Sequence, residues 1–190
     1  MGMLNGKVVI VTGAGGGLGR AHALAFAKEG ASVVVNDLGG SRDGTGNGSS
    51  MAEKVCDEIK KMGGKACPNF DSVSDPAGAE RIVQTAVKNF GRLDILVNNA
   101  GILRDKTLLK MTDEEWKPVM AVHLDGTFYC GRAAAKYMAD NKIAGRIINT
   151  TSYSGLKGNY GQCNYGAAKA GVVALTKIWG MELAKYGITC

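Results

Sequence analysis

Tyr165 and Lys169 stand four residues apart, and Ser152 precedes Tyr165 by thirteen. Residues at i and i+4 share one face of a helix, so the phenol and the ammonium lie side by side. An ammonium next to a phenol favours the phenolate and makes the hydroxyl a usable general acid or base. A serine hydroxyl brought close can hold a substrate oxygen while Tyr165 transfers the proton. A Y-x-x-x-K pair is common by chance, so the reading depends on what else the chain supplies.

It supplies a glycine turn. Thr12-Gly13-Ala14-Gly15-Gly16-Gly17-Leu18-Gly19 lies between a short apolar run and an Ala-rich stretch. Glycines there let the backbone turn tightly and approach a pyrophosphate. The free N–H groups and dipole of a helix start then hold the anion. In a strand–turn–helix setting, Gly13, Gly17, Leu18 and Gly19 are candidate cofactor contacts. Asp37 follows Gly19 by eighteen residues, at the end of the next apolar run. A carboxylate in that place accepts bonds from ribose hydroxyls and repels a 2′-phosphate, which predicts NAD in preference to NADP. Two cations lie near enough to weigh against this: Arg20 just after the turn and Arg42 in the following loop. Asn98-Asn99-Ala100-Gly101 follows a further apolar run, where the amides either brace neighbouring strands or touch the cofactor.

These groups need a scaffold, and the hydrophobic pattern describes one. Strands are predicted at Val8–Val11, Ser32–Val35, Lys65–Phe70, Ile95–Val97 and Arg146–Asn149. Helices are predicted at Leu18–Glu29, about Ser49 to Met62, Ala77–Phe90, about Asp113 to Ala139 and about Tyr165 to Tyr186. Gly30 reads as a C-terminal cap, Asp75 and Pro76 as a helix start, and Pro118 as a first-turn or kink position. Leu38 to Gly48 is a polar loop, and Ile188 begins a sixth strand. Such alternation predicts an α/β fold, a Rossmann-type doubly wound parallel sheet in a single domain. Ligands of such sheets bind beyond the carboxyl ends of the strands, where the motifs fall.

Composition narrows the class. The chain has 190 residues, 28 of them glycine, and a net charge of +6. It is long enough for a sizeable core. The charge reads as a solvated surface or, less often, as attraction of an anionic ligand. No basic run interleaved with aromatics points to nucleic acid, and no run approaches the ~20 apolar residues of a membrane span. The five cysteines are odd in number and widely spaced, which predicts reduced thiols and no metal site. No signal peptide is legible, so a cytoplasmic location is the expectation. His22 has no chemical context and reads as a surface or packing residue.

TGAGGGLG (12–19), NNAG (98–101), Ser152 and YGAAK (165–169) together resemble the short-chain dehydrogenase/reductase family, in order and across the whole chain. The resemblance implies hydride transfer between NAD(P)(H) and a secondary alcohol or carbonyl, at a Ser152–Tyr165–Lys169 site. It implies that Lys169 also holds the nicotinamide ribose, that Asp71 and Ser72 lie near the adenine, and that Asn99, Ala100 and Gly101 flank the cofactor. Members often add a catalytic Asn before the fifth strand. Here that stretch reads Val122-His123-Leu124-Asp125-Gly126, with His123 in the Asn position. Members continue past Ile188-Thr189-Cys190, so the resemblance also implies a truncated C-terminal part.

Asn36-Asp37-Leu38-Gly39-Gly40 and its long loop, Asn99 to Asp105, the Val-His-Leu stretch and Gly158 to Gln162 resemble one subgroup. It comprises the (3R)-hydroxyacyl-CoA dehydrogenase domains of multifunctional β-oxidation enzymes and their bacterial relatives. The implied substrate is an acyl thioester. The alternatives are a 3-oxoacyl-[acyl-carrier-protein] reductase, a steroid or other alcohol dehydrogenase and, less favoured, a non-catalytic nucleotide-binding protein. Small and apolar residues of the last two long helices, Ala133 to Ala135, Ala168, Val172, Val173, Leu175 and Trp179, read as core. The resemblance adds pairing of these helices in a homodimer or homotetramer.

Overall fold

The computed structural model describes residues 2–41, 43–46 and 50–190. The chain runs β1 (Val8–Thr12), α1 (Gly17–Lys28), β2 (Ser32–Asn36), α2 (Ser50–Lys61), β3 (Lys65–Asn69), α3 (Pro76–Phe90) and β4 (Ile95–Asn98). It continues with α4 (Asp113–Met120), a π-helical turn (Ala121–Asp125), α5 (Gly126–Asp140), β5 (Arg146–Asn149), α6 (Tyr153–Lys157) and α7 (Cys163–Glu182). All strand pairs are parallel, in the order β3-β2-β1-β4-β5. Strand order reverses between β1 and β4, which places the ligand crevice of such a sheet above the end of β1.

Two cores follow from the alternation of side chains along each strand. Val8, Ile10, Val34, Leu96 and Ile147 face one side, with Ile82 of α3 and Ala134 and Met138 of α5. Val9, Val11, Val33, Val35 and Val97 face the other, with Ala23 of α1 and Val55 and Ile59 of α2. Both faces of the sheet are covered, as its continuous apolar runs require. Pro68 is tolerated because β3 is an edge strand, where a missing N–H costs no ladder bond. Ala134, Ala168, Val172 and Trp179 of the small-residue stripe are buried, as expected of core.

Helix ends mostly follow their capping residues. The Asp75 carboxylate accepts from the N–H groups of Ala77 and Gly78, with Pro76 in the first turn, and Gly30 takes φ +90° after α1. Four features differ from the pattern-based reading. The segment expected as one helix from Asp113 is interrupted by the π-helical turn, and Pro118 lies inside α4, beyond its first turn. The glycine-rich stretch after β5 holds the short helix α6, started by the Ser152 side chain. The last helix begins at Cys163 and gives way at Ala184–Tyr186 to a 3₁₀ turn. The expected sixth strand is a single bridge, Thr189 against Arg146. Arg42, Gly48 and Ser49 lie outside the described residues. All five cysteines are free.

Candidate active site

The glycine turn is shaped by partners on β4. Thr12 Oγ1 accepts from the N–H of Asn99 at 3.0 Å and of Ala100 at 3.1 Å, and donates to the Val97 carbonyl. Asn99 Nδ2 donates to the carbonyls of Thr12 and Gly13, at 3.0 and 3.2 Å. Asn98 Nδ2 reaches Asn149 Oδ1 at 2.9 Å on β5. The asparagines therefore brace strands.

Glycine is required at two positions of the turn. Gly13 has φ +62°, and a Cβ there would lie 2.7 Å from Ala100 Cα. A Cβ on Gly19 would lie 2.1 Å from the Gly13 carbonyl oxygen. Gly17 has φ +51° and faces open space, and Leu18 is exposed. No side chain caps the start of α1, so its first N–H groups are not claimed by a local carboxylate or hydroxyl. This side-chain-free cradle at an uncapped helix start fits a pyrophosphate.

Asp37 leans over the turn from the end of β2. Its Oδ2 accepts from Gly15 N–H and its Oδ1 from Gly39 N–H, both at 2.7 Å. Each oxygen keeps a lone pair for a ribose hydroxyl. Arg20 is engaged elsewhere, its guanidinium ion-paired with Glu58. Asp71 and Ser72 follow β3. Asp71 binds Arg81 Nε at 2.6 Å and Asn69 Nδ2 at 2.8 Å, and Ser72 Oγ meets Ser74 Oγ at 2.8 Å. This side of the crevice is thus preformed by polar contacts.

Tyr165, Lys169 and His123 meet beyond β4 and β5. Lys169 is buried beside Tyr165, its Nζ 5.8 Å from the ring centre and donating to the Thr150 carbonyl. Burial pushes the Lys169 ammonium down to about 8. Ser152 Oγ accepts from Ser154 N–H at 3.2 Å, which leaves its own proton free to point outward. His123 packs edge-on against Tyr165, ring centres 5.0 Å apart and planes at 87°. The π-helical turn makes this contact possible, because an extra residue in the turn re-aims the side chains after it. Gly101 lets the ring in, since a Cβ there would lie 2.3 Å from His123 Cε1.

His123 Nε2 lies 2.8 Å from the Ile102 carbonyl oxygen and 3.1 Å from its nitrogen. The shorter contact assigns the proton to Nε2, donating to the carbonyl. Nδ1 is then a bare acceptor, and among the described residues it is a buried side-chain polar atom without a partner. Burial, with the Lys169 ammonium nearby, pushes His123 down to about 4. The ring is therefore neutral at working pH. Its folded value lies below its unfolded one, so it contributes stability above about pH 6.5 that is lost as pH falls towards 4. The shift corresponds to about 3 kcal/mol at most. Urea unfolding between pH 7 and pH 4 is expected to show a shallower acid-side decline in His123→Asn than in the wild type. Parallel declines would refute the assignment.

Sequence reasoning passed over Asn164, which is fully buried. Its Nδ2 donates to the carbonyls of Arg104 and Glu115, both at 3.0 Å, and its Oδ1 accepts from Tyr165 N–H at 2.7 Å. An amide directly before Tyr165 was the one available signal. Gln162, legible in the sequence only as part of a motif, links Ser154, Asn159 and Asp105. His22 is exposed, as expected. Among the described residues no cluster of His, Cys, Asp and Glu could hold a metal, and no helix is long and apolar enough to cross a membrane.

Comparison with known proteins agrees with this geometry. The family model for short chain dehydrogenases matches residues 7–190. The chain is 55 % identical over 182 residues to a peroxisomal hydratase-dehydrogenase-epimerase of Saccharomyces cerevisiae, covering 96 % of this chain and 20 % of that protein. It is 45 % identical over 192 residues to a hydroxyacyl-CoA dehydrogenase of Mycobacterium tuberculosis, covering 97 % of this chain and 59 % of that protein. A crystal structure of a short chain dehydrogenase from Mycobacterium avium superposes with a TM-score of 0.92 at 52 % identity, covering 99 % of this chain and 66 % of that one. The chain thus spans one fifth to two thirds of the length of these proteins. It belongs to the short-chain dehydrogenase family, whose members bind NAD(P)(H).

Proposed function

We propose that residues 1–190 form one cofactor-binding and catalytic unit of an NAD(H)-dependent dehydrogenase. Its substrate pair is a 3-hydroxyacyl-CoA thioester and the 3-oxoacyl form. The observation that carries the reading is Lys169 buried beside Tyr165, with the glycine cradle and Asp37 across the crevice. The CoA thioester is supported by the names of the relatives, one of them a hydroxyacyl-CoA dehydrogenase.

In the oxidising direction Tyr165 Oη takes the proton of the substrate hydroxyl, and Ser152 Oγ–H donates to the same oxygen. A bound NAD would supply the acceptor for the hydride that leaves the carbon bearing this oxygen. In reduction Tyr165 Oη returns the proton to the carbonyl oxygen. The Lys169 ammonium favours the phenolate throughout. His123, neutral and bound to the Ile102 carbonyl, holds the backbone beside the Tyr165 ring in the place where the family usually carries Asn. Thr12, Asn99, Ala100 and Gly101 keep the crevice floor fixed. Asp37 receives the adenosine ribose, and with Arg20 tied to Glu58 its charge disfavours a 2′-phosphate.

Fluorescence titration of Trp116 and Trp179 with NADH and with NADPH tests the cofactor. NADH is expected to bind at least about tenfold more tightly, the equivalent of one lost charge-assisted hydrogen bond. Turnover of a 3-oxoacyl-CoA then tests the substrate. Tighter NADPH binding, with turnover of a carrier-protein thioester only, would favour the 3-oxoacyl-[acyl-carrier-protein] reductase instead.

A further inference from the structure

The loops after β2 and β4 touch each other. Because β1 lies between those two strands, the contact bridges beyond the carboxyl end of β1, where the ligand crevice of such a sheet lies. Arg104 Nε donates to the Asp43 carbonyl at 2.8 Å. Gly44, at φ +82°, sits against Ile102, and a Cβ on it would lie 3.0 Å from Cδ1 and 3.1 Å from Cγ2. The segment is tied internally. Ser41 N–H donates to the Thr45 carbonyl at 2.8 Å, and Thr45 N–H to the Asp43 carboxylate at 3.0 Å. Hydroxyls of Ser41 and Thr45 hold that carboxyl well below the usual range.

Arg104 is anchored on its other side as well. Its Nη1 donates to the Glu114 carbonyl at 2.8 Å. That carbonyl lacks its helical partner because Pro118, four residues on, has no N–H. The proline in α4 therefore supplies the acceptor that fixes the guanidinium. The Arg104 carbonyl in turn accepts from Asn164, next to Tyr165. One residue thus joins the segment after β2, the helix α4 and the start of the helix that bears Tyr165.

We propose that Arg104 is a positioning residue for the cofactor. Its guanidinium latches residues 43–46 across the crevice, and a dinucleotide enters or leaves only when this latch opens. The proposal rests on the dinucleotide reading of the site. A latch acts on traffic in both directions, so its loss speeds entry and exit together. Loss of an ordinary binding contact raises the exit rate alone.

Stopped-flow NADH fluorescence with the full-length protein separates these cases. In Arg104→Ala both association and dissociation rates are expected to rise about three- to tenfold, the effect of losing one partly exposed hydrogen bond. The dissociation constant moves less than either rate. Gly44→Val reaches the open state by another route, pushing a branched side chain into Ile102 from a backbone conformation that disfavours it. It is expected to give the same paired rise. A rise in dissociation alone, or slower association in both variants, overturns the latch. Unchanged rates in both variants overturn it too and leave the dinucleotide reading standing. A wild-type protein that binds neither NADH nor NADPH overturns both.

Discussion

Tyr165→Phe is expected to lose hydride transfer by about 10²- to 10⁴-fold while NADH binding stays within about threefold of wild type. The substitution deletes one oxygen and keeps the ring. That ring is held by the edge-on contact with His123, and the backbone beneath it by Asn164 Oδ1. Both contacts survive, so the cofactor crevice keeps its shape while the proton loses its carrier. Single-turnover absorbance at saturating NADH measures the chemical step, and a titration of the same sample measures binding. A residual rate within about tenfold of wild type would show that another group moves the proton, and Ser152 would be the next to remove.

Gly19→Ala is expected to lower stability by about 1–3 kcal/mol and to weaken NADH binding by about ten- to a hundredfold. The added methyl would lie 2.1 Å from the Gly13 carbonyl oxygen and 2.6 Å from Asn99 Nδ2. Both are groups that shape the turn, and Asn99 is itself held through its N–H by Thr12. Relief requires the start of α1 to move away from the turn, which takes the anion-facing N–H groups with it. Gly17→Ala is the internal comparison. It meets open space and bears only the strain of a positive φ, about 1–2 kcal/mol. Urea melts and NADH titrations of both variants give the two numbers. Equal binding by the two variants would refute the argument from close approach.

Legibility in the sequence followed the range of the interactions. Val8–Thr12 and Ser32–Asn36 are fully buried or nearly so, and their unbroken apolar runs say so. The glycine turn was legible because glycine is the residue that such geometry demands. The π-helical turn was not. A single wide turn leaves no periodic trace, and Pro118, inside α4, does not mark where it begins. The short α6 was also hidden, since five residues with an internal glycine carry no amphipathic pattern. Asn164 acts on carbonyls 49 and 60 residues away in the chain, and Arg104 on one 61 residues away as well as one ten away. Backbone acceptors have no residue identity, so nothing in the sequence marks them as partners. His123 was legible as an oddity in a family motif, and only the structure supplies its neutral ring and its grip on Ile102.

Because Asn99 grips Thr12 across 87 residues of chain, the glycine turn reaches its final form only once β4 is docked beside β1. The neighbouring strand and helix can form locally and early, but the carbonyls of Thr12 and Gly13 stay unpinned until β4 docks beside β1. Contacts of such sequence separation close slowly, since the entropy of the intervening loop is lost before they repay it. Competence to bind a nucleotide therefore waits on the pairing of β1 with β4, not on the local formation of α1. A partly made chain could show nearly all of the α1 helix and still have no cradle.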